Sequence, residues 1–233
     1  MRTVEESVST NADMLALAES GSPEGLWLRA ERQTAGRGRM GRGWESPQGN
    51  LYASTIVRLR DGDPSAATLA LVAAIAVAET LRAYASQCVF QIKWPNDILC
   101  GGAKLSGILL ERSDDAIIVG IGVNLGFHPV GLDRAVTSLS ALGIDPPAPG
   151  FFLEDLAACF ARWLSRWRGE GLPPIRTAWL AHAHAVGTAL TANLPDGRAI
   201  EGLFDGLEAD GALRLRLADG SFRVIHAGDV FLM

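Results

Sequence analysis

Gln33-Thr34-Ala35-Gly36-Arg37-Gly38-Arg39-Met40-Gly41-Arg42-Gly43-Trp44 sets three arginines at alternate or near-alternate positions in a glycine frame. Glycine lets a backbone approach a ligand closely and take conformations other residues resist. Guanidinium groups grip phosphate and carboxylate through paired, charge-assisted hydrogen bonds. The stretch reads as a loop that wraps an anion, with Trp44 available to stack on a ring. The competing readings are a glycine–arginine RNA-binding tract and a solvated loop.

Working outward, a strand at residues 27–30 leads into the loop, and the alternating stretch 51–59 returns from it as a strand. Upstream, Thr10-Asn11-Ala12-Asp13 has the form of a capping box, with Met14, Leu15, Leu17 and Ala18 following at helical spacing as far as Gly21. Pro64 stands at a first helical position and predicts a helix to about Tyr84. A short strand at 89–93 stops at Trp94-Pro95. Gly101-Gly102 then turns a hairpin between 98–100 and 104–112, and 116–123 is a buried strand. Leu153, Leu156, Ala157, Phe160, Trp163, Leu164 and Trp167 form the apolar stripe of an amphipathic helix. From about Ala185 the character changes. Asp196-Gly197, Asp210-Gly211 and Asp219-Gly220 are hairpin turns between short alternating strands, a small β-meander or barrel with its boundary near His184.

The bulk numbers exclude several classes. At 233 residues and 48% hydrophobic, the chain has the size and composition of one large domain, or one domain with a small appendix. A net charge of −5 argues against a nucleic-acid partner and for a small anion at the arginine loop. Cys88, Cys100 and Cys159 give neither a disulfide framework nor a zinc signature. His182-x-His184 reads as a surface or packing pair rather than a metal site, so no dedicated metal centre is expected. The N-terminus lacks the pattern of a signal peptide, and the alanine-rich run 66–78 reads as a buried helix, not a membrane span. A cytoplasmic protein is expected.

Three further clusters carry chemistry. Lys93-Trp94-Pro95-Asn96-Asp97 ends a strand with polar side chains: Asn96 offers donor and acceptor together, and Asp97 can hold a cation or accept a proton. An ordinary Asn-Asp turn competes with that reading. Lys104, among small residues at the start of the apolar run 104–112, can reach a negative ligand, although the spacing is not that of a Walker A loop. Gly120-Ile121-Gly122-Val123-Asn124 ends a strand in small residues with Asn124 at its tip, and is weak evidence for a dinucleotide fold.

In this order the motifs, together with Ser9-Thr10-Asn11 and Lys104-Leu105-Ser106-Gly107-Ile108-Leu109, resemble those of the biotin protein ligase family across nearly the whole chain. The resemblance implies an α+β fold. Residues 1–184 would form a catalytic domain with a mixed sheet like that of class II aminoacyl-tRNA synthetases, and 185–233 an SH3-like barrel. It implies biotin activation by ATP to biotinyl-5′-AMP, then transfer to a lysine of a biotin carboxyl carrier protein. Arg39, Lys104 and Asp97 would be catalytic, Asp97 by orienting or deprotonating the acceptor lysine. Ser9, Thr10, Gln33, Gly36, Arg37, Arg39, Lys104 and Gly107 would bind biotin. Arg37, Arg39, Arg42, Trp44, Asn96, Asp97 and Asn124 would bind ATP and the adenylate. Mg2+ would be carried with ATP, with Asp97 nearest to meet it. The arginine loop would be mobile when empty and close over the water-labile anhydride.

The resemblance has departures. The pattern begins by Ser9, so a monofunctional ligase without an N-terminal DNA-binding domain is expected. Residues 125–142 lack the tryptophan that covers adenine in some relatives, leaving Phe127 or Val136 to substitute. Met40 and Gly43 stand where basic residues are common. A homodimer through sheet edges, as in many relatives, is allowed but fixed by no residue. A lipoate or octanoate transferase and a non-catalytic sensor are the alternatives; the arginine loop and the Lys-Trp-Pro-Asn-Asp run favour the biotin branch.

Overall fold

Apolar side chains alternate along the central strands, and that alternation decides what each face of the main sheet carries. The structure, a computed structural model, describes residues 1–232. Its first sheet contains β1 (Arg2–Ser7), β2 (Trp27–Gln33), β3 (Leu51–Arg58), β4 (Phe90–Lys93), β5 (Asp97–Cys100), β6 (Ala103–Ser113) and β7 (Ala116–Val123). The spatial order is β1-β2-β3-β7-β6-β5-β4. β1 runs parallel to β2, and the other neighbours are antiparallel, so the sheet is mixed.

In β7, Ile117, Val119, Ile121 and Val123 point to one face and join the main core. That face is covered by α2 (Leu69–Tyr84), α3 (Pro149–Glu170) and α4 (Leu172–His182). Ala116 and Ile118 point the other way and pack with Met14 and Ala18 of α1 (Thr10–Glu19). The next two residues on that second face are Gly120 and Gly122. A side chain at Gly120 would meet Asn11 Oδ1 at 2.1 Å, and one at Gly122 would meet the Trp44 ring at 2.7 Å. The glycine pair is therefore the smooth floor of a cavity beside α1, which is the physical reason for the Gly-x-Gly spacing.

The second sheet contains β8 (Ala189–Asn193), β9 (Ala199–Leu207), β10 (Leu213–Arg216), β11 (Phe222–Ile225) and β12 (Asp229–Leu232) in the order β11-β10-β9-β8-β12. All its described pairs are antiparallel, as the Asp-Gly turns require. Its inner residues Leu190, Phe204 and Leu213 belong to the same hydrophobic cluster as α2 and α4. Trp179 packs on Phe204 with ring centroids 6.4 Å apart, and Trp94 Nε1 donates to Gly211 O at 3.2 Å. The stretch Ala66–Tyr84 has the length and hydropathy of a membrane span, but here it is buried between the sheet and α3 and α4.

Two expectations change. The capping box at Thr10 does not form: Ser9 is the N-cap residue, without a side-chain cap bond. The Thr10 hydroxyl turns to Gln33 Oε1, and Asp13 accepts from Ser7 Oγ at 2.5 Å instead. Pro64 does not open α2, which starts at Leu69 after a short 3-10 turn at Ala66–Thr68. That turn anchors α3, because the fully buried Trp167 donates through Nε1 to Thr68 Oγ1 at 2.8 Å. Thr68→Val leaves this indole N–H unpaired in the core and is expected to cost about 1–3 kcal/mol in urea unfolding, whereas Thr68→Ser should cost under about 1 kcal/mol.

Candidate active site

The cavity on the glycine floor has a volume of about 270 Å³, and elements from both sheets line it. Its first wall comes from the start of α1. Thr10 N and Thr10 Oγ1 donate to Gln33 Oε1 at 2.8 and 3.2 Å, and Ser54 Oγ donates to Thr10 Oγ1 at 2.7 Å. Gln33 Nε2 then donates to Ser46 Oγ, which donates to Trp44 O, both at 2.9 Å. This relay fixes the Gln33 amide and ties the sheet to the segment carrying Trp44. Ser9 is buried beside it.

The glycine–arginine stretch is a miniature hairpin. Trp44 N donates to Gly36 O at 2.9 Å, Arg37 pairs with Gly43, and Gly38 N donates to Arg42 O at 2.7 Å. Gly36 is needed for closeness: a Cβ there would sit 2.5 Å from Trp44 O. Met40, at the exposed tip, takes a left-handed conformation with φ 56°. The Trp44 ring lies across Gly122 and Gly107, where an added Cβ would meet it at 2.7 and 3.1 Å. Gly107 therefore makes room for this indole as well as for any ligand.

Each basic side chain of the motifs already has an acidic neighbour. Arg37 lies 3.6 Å from Glu111. Arg39 and Arg42 share Asp229 of β12 at 3.2 and 2.7 Å, and Arg39 also donates to Gly228 O at 3.2 Å. Lys104 and Lys93 flank the Asp97 carboxylate at 2.5 and 3.2 Å. Burial pushes the Asp97 pKa up, but the two ammoniums outweigh it and hold the group below its usual range, ionised. For Lys104 burial is the largest effect and lowers its pKa, with the Asp97 carboxylate only partly restoring it. The Lys104 ammonium also lies 5.3 Å from the Trp44 ring centroid.

The remaining motif residues act as braces. Asn96 Nδ2 donates to Ile108 O at 2.5 Å, and its Oδ1 accepts from Arg39 at 3.4 Å. Asn124 does not line this cavity. Its Nδ2 donates to Thr137 O at 3.0 Å, and it borders an adjoining cleft together with Arg42, Trp44, Lys104 and Val136. Phe127 lines neither space. Among the described residues no group of three His, Cys, Asp or Glu side chains is placed to hold a metal ion. Motif reading quoted Lys93 and Asn11 without giving either a role, and missed Asp229, Ser54 and Arg134. Asp229 and Arg39 are 190 positions apart, and no local signal joins them. Ser54 had a signal, its place two residues from Tyr52 on the same face of the strand, although it lies behind Thr10 and Asn11 rather than in the cavity lining.

The β12 carboxylate clamps the arginine hairpin onto the second sheet. Asp229→Ala is expected to speed amide exchange across residues 36–44 by about tenfold, and unchanged exchange would show that the hairpin holds itself.

Residues 6–127 match the model of the Biotin/lipoate A/B protein ligase family, and residues 189–233 match that of the Biotin protein ligase C terminal domain. A biotin–[acetyl-CoA-carboxylase] ligase of Paracoccus denitrificans is 40% identical over 96% of this chain and 96% of its own length. One from Mycobacterium tuberculosis is 34% identical, over 97% of this chain and 86% of its own. The biotin protein ligase of Aquifex aeolicus, solved in complex with biotin and ATP, superposes with a TM-score of 0.88 at 26% identity, covering 100% of this chain and 98% of that one. With both family models in chain order and relatives spanning its length, the chain belongs to the biotin protein ligase family.

Proposed function

We propose that the cavity and its adjoining cleft bring biotin and ATP together. The protein is a biotin protein ligase, and the observation that carries the site assignment is the buried Asp97–Lys104 pair under the Trp44 ring, at the meeting of the two spaces. Residues 1–184 would be the catalytic unit and 185–233 the SH3-like barrel that supplies Asp229. The cavity lining contains six basic side chains against three acidic ones, in a chain of net charge −5. Such local excess suits two anionic substrates.

In the first step a biotin carboxylate oxygen bonds to the α-phosphorus of MgATP, and pyrophosphate leaves. Lys104, Arg39 and Arg37 lower the repulsion between the two anions and stabilise charge developing on the phosphoryl oxygens. Ser9, Thr10, Gln33, Gly36 and Gly107 shape the biotin end, with the Thr10–Gln33 relay setting which amide atoms face the ureido ring. Arg42, Trp44, Asn96 and Asn124 serve the nucleotide end, and Val136 lines the adenine side. Magnesium enters on the ATP phosphates. In the second step the ε-amine of a carrier lysine attacks the anhydride carbonyl, and AMP leaves. Asp97, held ionised by two ammoniums, is a weak base and a better orienting group for that amine. The acceptor would be the carrier protein of a biotin-dependent carboxylase, the compartment the cytoplasm, and the assembly a homodimer through sheet edges.

Incubation with biotin, or lipoate in parallel, and ATP labelled on the α-phosphate should yield biotinyl-adenylate only; adenylate with lipoate alone would reassign the substrate. Asp97→Ala should lower kcat for transfer by at least about a hundredfold, and an active variant would remove Asp97 from the mechanism. Because burial lowers the Lys104 pKa from its ordinary 10.5, the rate should fall on the alkaline side at lower pH than that. Lys104→Arg should abolish this limb.

A further inference from the structure

The cavity and the adjoining cleft share three basic residues, Arg42, Lys104 and Arg134. A ligand with an acyl group in one space and a nucleoside in the other must carry its phosphate across their junction, so these cations face it. Arg42 is held by Asp229 at 2.7 Å and Lys104 by Asp97 at 2.5 Å. Among the described residues Arg134 makes no ion pair or hydrogen bond, unlike every other basic side chain lining the cavity. A partly buried guanidinium without an acidic partner, in a cavity otherwise internally compensated, has its N–H fork available to donate to an anion.

Its position is set by the backbone. Lys104 N donates to Ala135 O, and Thr137 N donates to Lys104 O, both at 2.9 Å, so Lys104 and Val136 form a parallel bridge. Arg134 is thereby strapped one residue from the main chain that carries Lys104. Its charge also disfavours the protonated form of Lys104, which places the two cations within electrostatic reach of each other. An anion between them would relieve that repulsion. Asp133 also reaches the junction, but it is exposed and forms no ion pair with Arg134 among the described residues.

We infer that Arg134 is a phosphate-binding residue of this site, the cation that meets the ATP phosphate chain while the hairpin arginines are still held by Asp229. The inference rests on the ATP-binding reading above. It also offers a source of the positive charge that Met40 and Gly43 do not supply in the arginine hairpin.

The test is equilibrium binding of MgATP, adenosine and biotin to the full chain and to Arg134→Ala and Arg134→Lys. Arg134→Ala should weaken MgATP about tenfold, as expected for loss of charge-assisted hydrogen bonds, and leave adenosine and biotin within about twofold. Arg134→Lys should fall between, keeping the charge but losing the planar fork. Unchanged MgATP affinity in Arg134→Ala, or an equal loss for adenosine, would overturn the inference. Since the readout is binding, a wild-type protein that binds MgATP yet forms no biotinyl-adenylate would end the ligase assignment and leave Arg134 in place. One that binds no MgATP would end both.

Discussion

A buried carboxylate between two ammonium groups organises the molecule. Removing Asp97 from water is tolerable only because Lys93 and Lys104 sit at 3.2 and 2.5 Å from it. That requirement positions three strands, since Lys93 ends β4, Asp97 begins β5 and Lys104 lies near the start of β6. Lys93 also donates to Val230 O at 2.8 Å, so the same charge cluster draws β12 against the cavity. The ion pair is thus a piece of architecture as well as chemistry. It links the two strands on either side of the Gly101-Gly102 hairpin, and it holds an ammonium 5.3 Å from the Trp44 ring centroid.

The cavity exists because the sheet is unequally covered. Three helices bury one face, while α1 covers only part of the other. Glycines at 107, 120 and 122 keep the bare part flat, and the indole of Trp44 lies over two of them. A close approach of ring to backbone is available only at positions without a Cβ. Packing and function are therefore the same constraint at these three residues.

Much of this was legible in the sequence. The strand 116–123 was read with its final bounds because β-branched residues dominate it and it is buried on both faces. The 98–112 hairpin, the α3 stripe and the Asp-Gly turns of the second sheet carry equally local signals. The failures share a different cause. β1 is exposed at four of its six positions and has no apolar alternation, since it pairs at an edge on one side only. Thr10 looked like a cap, but Gln33, 23 positions away, claims its hydroxyl. Asp229 and Arg134 belong to no local pattern, and only folding brings them to the arginine hairpin and to Lys104. Local order is written locally; the charge balance of a cavity is written across the chain.

The clamp of Asp229 on Arg39 has a consequence for how the protein is made. The two residues lie 190 positions apart. At a synthesis rate of about 5–20 residues per second, the hairpin leaves the ribosome roughly ten to forty seconds before its partner. The sheet, α2 and the Asp97–Lys104 pair can assemble in that interval, while Arg39 and Arg42 still lack the carboxylate that anchors them. The finished site is therefore a late product of translation, and a nascent chain halted before β12 would hold the Asp97–Lys104 pair without an anchored arginine hairpin.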